Sequence, residues 1–208
     1  MTRSLFAPGL CLAVVCVVAS GCRHTALGST PASETSATPQ SQKGASEDAS
    51  IFDLEVRLID QDGTRARLQD LAGQAMVVSM MYASCTSVCP RVTENMKSIE
   101  RQLGARAKST KFVLFSLDPG RDTPQALRRF AADHQLDLAR WRLFAASEDG
   151  VRDLAAVLDV RYAPGPSGDI SHSALIVVVD QHGVVRHRQV GVGQDPKPLL
   201  DAIAGTAE

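Results

Sequence analysis

Three short apolar runs stand out along the chain, at residues 75–81, 111–117 and 174–179. Each is rich in Val, Ile, Leu, Met or Phe and shorter than an ordinary helix, so each is predicted to be a buried β-strand. Apolar residues with helical spacing follow the first two runs: Val92, Met96, Ile99 and Leu103 after the first, and Leu127, Phe130 and Ala131 after the second. The pattern therefore predicts β-strands that alternate with amphipathic α-helices.

Elements at both ends complete the predicted fold. Residues 52–58 alternate apolar and polar side chains, and residues 65–71 are predicted to return as a second strand after a turn at Asp62. Near the carboxyl end, residues 184–190 are expected to form a hairpin with the third run, and residues 197–203 a closing helix. We therefore predict an α/β fold: a thioredoxin-like three-layer sandwich with a central mixed sheet, an N-terminal hairpin, and a C-terminal β-hairpin plus helix.

The connecting segments carry recognisable helix signals. Thr123 or Asp122 is expected to cap the helix after the second run, with Pro124 at its first position. Ser147 is expected to begin a further helix. Residues 161–169 are rich in Pro and Gly and are predicted to be a loop, long enough to serve a function.

The first 22 residues have the pattern of an export signal. Arg3 gives a positive start, an apolar region follows, and Ala19-Ser20-Gly21-Cys22 ends it. The small residues before Cys22 resemble a bacterial lipoprotein cleavage site, although Leu is usual at the position of Ala19. Cleavage by an ordinary signal peptidase and an uncleaved anchor are the alternatives. We expect lipid on Cys22, and an exported protein anchored in a bacterial cell envelope, facing the periplasm or the exterior.

The next segment has the composition of a flexible tether. Residues 23–50 consist mainly of Ser, Thr, Ala, Pro and Gln, with almost no large apolar side chains. Such a segment buries too little surface to offset the entropy of ordering. We therefore divide the chain into an export segment (1–22), a disordered tether (23–50) and one thioredoxin-like domain (51–208).

Cysteine content and charge narrow the class of protein. Three of the five cysteines precede residue 23, so the predicted domain keeps only Cys85 and Cys89. Two close thiols in an exported domain indicate a paired bond or a paired function. Arg3 is the single charged residue of the export segment, so the rest of the chain carries 21 Lys and Arg against 23 Asp and Glu. This balance gives no reason to expect a nucleic-acid partner.

Cys85 and Cys89 lie where the first predicted strand turns into a helix, with Pro90 in the first turn. Backbone N–H groups at a helix start favour anions, so a thiolate there is stabilised. Three interpretations remain open from the residues alone. The pair is a static disulfide that closes a short loop, a redox pair with one residue more than the thioredoxin motif, or two soft ligands for Cu(I) or Zn.

His172 stands directly before the third predicted strand, as Cys85 stands directly after the first. Loops at one edge of an α/β sheet bring such residues together. The three side chains would form a Cys₂His metal site, while the alternative is that His172 is an ordinary polar residue at a strand end. The other histidines, in the tether, a helix tail, a turn and an exposed strand, are expected to be solvated: His24, His134, His182 and His187.

Several segments together resemble the Sco/SenC family, thioredoxin-fold copper proteins that help to assemble the binuclear copper centre of cytochrome oxidase. The likeness lies in residues 82–90 (YASCTSVCP), 115–127 (FSLDPGRDTPQAL), 141–162 (WRLFAASEDGVRDLAAVLDVRY) and 171–183 (SHSALIVVVDQHG). It extends over residues 51–203.

The resemblance implies a site and a function. The family's two metal-binding cysteines fall on Cys85 and Cys89, which also form its redox-active pair and possible disulfide, and its histidine ligand falls on His172. The expected cofactor is one copper, as Cu(I) or Cu(II). The expected partners are a copper acceptor such as a cytochrome oxidase subunit, a thiol reductant, and the membrane through the lipid or anchor. The implied role is a metallochaperone more than an enzyme.

The cysteine motif departs from the family pattern, which commonly has Thr, Pro and Asp at the positions of Ala83, Thr86 and Ser87. These changes leave the ligands intact but alter the loop that shapes thiol reactivity. The alternative function is a thiol–disulfide oxidoreductase that keeps the cysteines of a copper-site partner reduced, with His172 tuning thiolate formation. A peroxidase is disfavoured because Tyr82 stands where peroxiredoxins have Pro.

Overall fold

The computed structural model describes residues 50–206. Within that range the strands are β1 (Arg57–Asp60), β2 (Arg65–Arg67), β3 (Ala75–Met81), β4 (Thr110–Ser116), β5 (Trp141–Ala146), β6 (Tyr162–Pro164), β7 (Ile170–His172), β8 (Leu175–Val179) and β9 (Val185–Val190). The helices are α1 (Val88–Leu103), α2 (Pro124–Asp133), α3 (Glu148–Leu158) and α4 (Lys197–Gly205). The predictions for the export segment, for Cys22 and for nearly all of the tether lie outside the described residues.

Seven of these strands form one mixed sheet in the order β2-β1-β5-β4-β3-β8-β9. The neighbours β3, β4 and β5 run parallel, as crossovers through α1 and α2 require. The pairs β1–β2, β1–β5, β3–β8 and β8–β9 are antiparallel. Strands β6 and β7 pair separately as a two-stranded hairpin. The predicted mixed sheet, N-terminal hairpin and C-terminal hairpin with helix are confirmed.

Helices cover both faces of the sheet and make three layers. One core takes buried side chains from α1, α2 and α4, among them Met96, Leu127 and Ile203. The other takes them from α3 and from the segment before the sheet, including Leu154 and Ile51. Every residue of β3 and β8 is buried. This explains why both strands are continuous apolar runs and do not alternate.

Two of the predicted helix starts are confirmed in detail. The hydroxyl of Thr123 accepts a hydrogen bond from the backbone N–H of Ala126 at 3.3 Å, and Pro124 is the first residue of α2. The hydroxyl of Ser147 caps α3 in the same way through the N–H of Gly150. Asp122, the other candidate cap, instead accepts a hydrogen bond from the backbone N–H of Ala83.

Three local predictions were wrong. The strand expected at residues 52–58 begins only at Arg57, because the Ser50 hydroxyl caps a 3₁₀ turn at Ile51–Asp53. Strand β2 ends at Arg67, and a 3₁₀ turn follows that buries Leu68 and Leu71 on one side. The loop expected at residues 161–169 contains β6, since these residues become a strand only by pairing with β7.

The topology gathers three segments at one edge of the sheet. Because β3 and β4 are parallel, the loops that follow them leave the sheet together, and the N–H of Leu117 donates to the carbonyl of Met81 at 2.7 Å. Strand β8 is antiparallel to β3, so its beginning, preceded by the β6–β7 hairpin, lies at this edge too. Within residues 50–206 no helix has both the length and the apolar content needed to cross a bilayer.

Candidate metal centre

The cysteine loop brings its two sulfurs to the start of α1. Cys85 lies in the loop after β3, and its N–H donates to the carbonyl of Tyr82 at 3.1 Å. Cys89 is the second residue of α1, and its backbone N–H donates to the sulfur of Cys85 at 3.4 Å. The side chain of Ser87 at the N-cap makes no capping bond. The Cys85 sulfur therefore takes the capping role, with a partial positive charge facing it.

This geometry gives the two thiols opposite acidities. Burial alone would raise the pKa of Cys85, but hydrogen bonds from the Cys89 thiol and from the N–H groups of Cys89 and Ser87 outweigh burial and lower that pKa to about 6. Burial, together with the neighbouring Cys85 sulfur, raises the pKa of Cys89. Both cysteines are free. At neutral pH the pair is therefore one thiolate, on Cys85, and one thiol, on Cys89.

His172 completes the cluster from the end of β7. Its Nδ1 lies 3.1 Å from the carbonyl of Ser173, which can only accept, so Nδ1 carries the proton. The lone pair of Nε2 is then available to bind a cation. Nε2 lies 3.3 Å from the sulfur of Cys89. A backbone carbonyl that fixes the histidine tautomer is a common support for metal-binding imidazoles.

The ligand atoms of Cys85, Cys89 and His172 all lie within 4.8 Å of one another. A metal ion at ordinary ligand distances of about 2.0–2.3 Å would sit between them after small movements of the side chains. Two sulfurs and one imidazole suit Cu(I) and Zn, and the imidazole also suits Cu(II). The structure thus brings together all three residues that the sequence proposed as ligands. Among the described residues, His134, His182 and His187 do not join this cluster.

Asp122 supports the cysteine loop, a role that the sequence analysis missed. Its side chain is 2% exposed, and its two carboxylate oxygens accept the N–H of Ala83 at 3.1 Å. The hydroxyl of Ser116 donates to it at 2.6 Å. Burial raises the pKa of Asp122, although these hydrogen bonds act in the opposite direction. An acidic residue soon after a predicted central strand was all that the sequence offered, and only the fold shows that Asp122 is buried and reaches the cysteine loop.

Tyr82 packs against the histidine ligand. The tyrosine ring is 6% exposed and meets the imidazole of His172 edge-on, with 6.0 Å between the ring centroids and an interplanar angle of 78°. This contact restricts rotation of the imidazole. In the sequence Tyr82 was part of the segment that resembles the Sco/SenC family and an argument against a peroxidase. Its position beside His172 depends on the β6–β7 hairpin.

Cys85 and His172 line an open cleft of about 500 Å³, while Cys89 is buried and is not part of its lining. The cleft is bounded by the cysteine loop on one side and by the β6–β7 hairpin on the other, with Arg121 between them. Ser84, Thr86 and Ser87 on its rim are exposed or partly exposed hydroxyl side chains. A larger groove of about 1000 Å³ lies beside β1 and β2 and contains none of the three ligands. The smaller cleft is therefore the one through which a partner's ligands would reach the cluster.

Comparisons with known proteins show the family to which this fold belongs. The family model described as SCO1/SenC matches residues 44–208. A SCO1 protein homolog of Bacillus subtilis is 26% identical over 140 residues, which are 66% of this chain and 72% of the relative.

Solved structures show the same fold. A SCO1/SenC family lipoprotein of Bacillus anthracis is 26% identical with a TM-score of 0.68, over 74% of this chain and 95% of that one. ScoI of Bradyrhizobium japonicum with copper bound is 21% identical with a TM-score of 0.60, over 73% and 96%. BsSco is 22% identical with a TM-score of 0.63, over 72% of this chain and 90% of that one. It is a member of the Sco family of cytochrome c oxidase assembly proteins, and a disulfide switch was identified in BsSco itself. The chain, with its thioredoxin-like sandwich and its Cys-Cys-His cluster, belongs to the SCO1/SenC family.

Proposed function

We propose that this protein is an exported, membrane-tethered copper metallochaperone that binds one copper through Cys85, Cys89 and His172. The observation that carries the proposal is the convergence of two thiols and one imidazole at the sheet edge. The copper-bound ScoI of Bradyrhizobium japonicum has the same fold, which supports copper as the cargo. The acceptor proposed is a cytochrome c oxidase subunit, because BsSco belongs to a family of oxidase assembly proteins.

Transfer would proceed by exchange of thiolate ligands. Cys85 supplies a thiolate at neutral pH, and Cys89 becomes a second one when its proton leaves on metal binding. His172 is the neutral ligand, already oriented by the Ser173 carbonyl. A partner's cysteine sulfur that enters the open cleft would replace these ligands one at a time, so no separate catalytic base is needed.

A second function, thiol–disulfide exchange, is favoured by the unequal thiols. A low-pKa sulfur at a helix start beside a buried thiol is the arrangement of an attacking and a resolving cysteine. Cys85 would attack a partner disulfide, and Cys89 would then release the mixed disulfide. The partner gains two electrons, one proton from the Cys89 thiol and one from solvent, this pair becomes a disulfide, and a thiol reductant restores it.

His172 separates the two functions. We expect His172→Ala to keep thiol exchange, because both sulfurs remain, and to hold copper through sulfur with a changed Cu(II) absorption spectrum and weaker retention. Metal analysis of copper-loaded protein should give one copper per reduced chain and none per disulfide chain. His134→Ala is the matched control, since His134 lies outside the cluster.

Three results would contradict this proposal. An unchanged spectrum and affinity in His172→Ala would place the third ligand elsewhere. Indifference of the reduced protein to copper, together with rapid disulfide exchange, would leave the oxidoreductase as the function. Preference for Zn over Cu(I) at equal concentration would remove copper as the cargo.

The anchoring proposal rests on the amino-terminal sequence. We propose lipid on Cys22, a tether over residues 23–50 and a folded domain from about residue 51, held at a membrane of the bacterial cell envelope and facing the periplasm or exterior. That the related Bacillus anthracis protein is a lipoprotein supports this. Mass spectrometry of protein from a bacterial host should find an acylated amino terminus at Cys22. A mature terminus beyond residue 22 without acyl mass would end the proposal.

A further inference from the structure

The β6–β7 hairpin places His172 beside the thiols without being part of the main sheet. Its two strands pair with each other, Tyr162 opposite His172 and Pro164 opposite Ile170. At its base the N–H of Ser173 donates to the carbonyl of Arg161 at 2.9 Å. Ile170 is partly buried against both cores and anchors one strand. His172 lies at the base of this hairpin, three residues before β8 begins, and residues 165–169 form its tip.

Arg121 contacts that tip from the loop after β4. Its Nη2 donates to the carbonyl of Gly168, and its Nε donates to the carboxylate of Asp118. Gly168 has φ +79, and a Cβ added there would lie 3.2 Å from Arg121 Nη1, so the glycine permits the close approach. One guanidinium thus joins two segments that lie 47 residues apart in the chain.

The loop that carries Arg121 is itself fixed to the cysteine loop. The N–H of Asp118 donates to the hydroxyl of Ser116 at 2.9 Å, and the carboxylate of Asp122 accepts the N–H of Ala83. The contacts therefore run without a break from the cysteine loop through Asp122 and Arg121 to the tip of the hairpin. These contacts tie the tip of the strand pair that carries His172 to the segment that carries both sulfurs.

We propose that Arg121 is a positioning residue that holds the β6–β7 hairpin closed over the thiol pair and so keeps His172 within reach of the metal. Its release opens the hairpin, withdraws the imidazole and leaves a two-sulfur site facing the cleft, the state from which a partner's ligands take the metal. The inference rests on the proposed function, because it assumes that His172 is a ligand of the metal.

Arg121 is well placed for this role. Its side chain is 51% exposed and fills no core position, so we expect the fold to tolerate its replacement. Arg152 offers a matched control: it is 60% exposed and pairs with Asp149 three residues earlier, in the same manner as Arg121 with Asp118, but it forms no bond to the hairpin among the described contacts.

The experiment compares the wild type with Arg121→Gln, Arg152→Gln and His172→Ala. In metal-free reduced protein, amide hydrogen exchange over residues 162–172 should be faster in Arg121→Gln than in the wild type, and unchanged in Arg152→Gln. In copper-loaded protein, capture of Cu(I) by excess bathocuproine disulfonate should be about three to ten times faster in Arg121→Gln than in the wild type. The Cu(II) spectrum of Arg121→Gln should shift toward that of His172→Ala. Asp118→Asn weakens the pairing of Arg121 with the Asp118 carboxylate, so it should change hydrogen exchange, copper release and the spectrum in the same direction as Arg121→Gln. It therefore tests the proposal even if Arg121→Gln does not fold.

Equal hydrogen exchange in Arg121→Gln and Arg152→Gln would overturn the proposal, as would equal copper release. If His172→Ala also keeps the wild-type spectrum, the ligand assignment fails, and hairpin exchange, which needs no copper, still decides the role of Arg121. If His172→Ala changes the spectrum and Arg121→Gln does not, only the positioning role fails.

Discussion

Copper should raise the melting temperature of the reduced protein by roughly 5–10 °C and leave the disulfide form almost unchanged. A ligand that binds only the folded state stabilises it by RT ln(1 + [L]/Kd), about 2.7 kcal/mol at a hundredfold excess over Kd. For a domain of this size that free energy raises the melting temperature by roughly 5–10 °C. Oxidation of Cys85 and Cys89 to a disulfide removes both thiolate ligands, so oxidation and metal binding exclude each other.

The measurement is thermal unfolding with Cu(I) under anaerobic conditions, so that the metal does not itself oxidise the thiols. The double variant Cys85→Ser/Cys89→Ser is the control, and it should behave like the disulfide form. Copper binding by the thiols of the unfolded chain would reduce the rise in melting temperature. Equal shifts in the reduced protein, the disulfide protein and the double variant would mean that copper binds at another place.

Alkylation should separate the two cysteines by a wide margin. With a pKa of about 6, roughly nine-tenths of Cys85 is thiolate at pH 7, against about 1% for a thiol with the ordinary value of 9.0. The alkylation rate of Cys85 in reduced, metal-free protein should therefore rise with a midpoint near pH 6 and level off above pH 7. Cys89, which is 1% exposed and has a raised pKa, should stay unmodified while the domain is folded.

The lowered pKa of Cys85 also makes the stability of the folded domain depend on pH. Because the folded-state pKa of Cys85 lies below that of the unfolded chain, the unfolded chain holds more protons between about pH 6 and pH 9. Stability from this group is thus fully present above pH 9 and is lost as the pH falls through 6.

The alkylation rates of the two cysteines are measured by iodoacetamide labelling with mass spectrometry, and Cys85→Ser is the control. A midpoint near pH 9, or faster modification of Cys89, would contradict the arrangement at the start of α1.

Some features of the site could be read from the chain because they depend on neighbours in sequence. The strand-to-helix transition around Cys85 and Cys89 follows from an apolar run and helical spacing, and the caps of α2 and α3 follow from Thr123 and Ser147. The assignment of the three ligands also needed the resemblance to the Sco/SenC family, because spacing alone left three uses for the cysteines open. The structure brings the three residues together, and their role as metal ligands stays a prediction.

Other features depend on contacts between residues that are distant in the chain. Strand β6 lies in a Pro- and Gly-rich segment without strand periodicity and exists through its pairing with β7. Asp122 looked equivalent to Thr123 as a cap, but β3 and β4 end side by side, so its carboxylate reaches Ala83. No local pattern indicates either contact, because nothing in a short window reports which strands are neighbours.

The sequence by itself determined the alternation of the central strands with helices, the buried character of those strands and the types of ligand that this protein offers. These are local properties, set by side-chain periodicity, capping and the chemistry of sulfur and imidazole. Only the tertiary structure decided which cysteine is the thiolate, which nitrogen of His172 is free and which residues hold the hairpin in place. Each of these depends on burial and on hydrogen bonds across the edge of the sheet, such as those from Cys89 to the Cys85 sulfur and from Arg121 to Gly168, which come into existence only when the chain has folded.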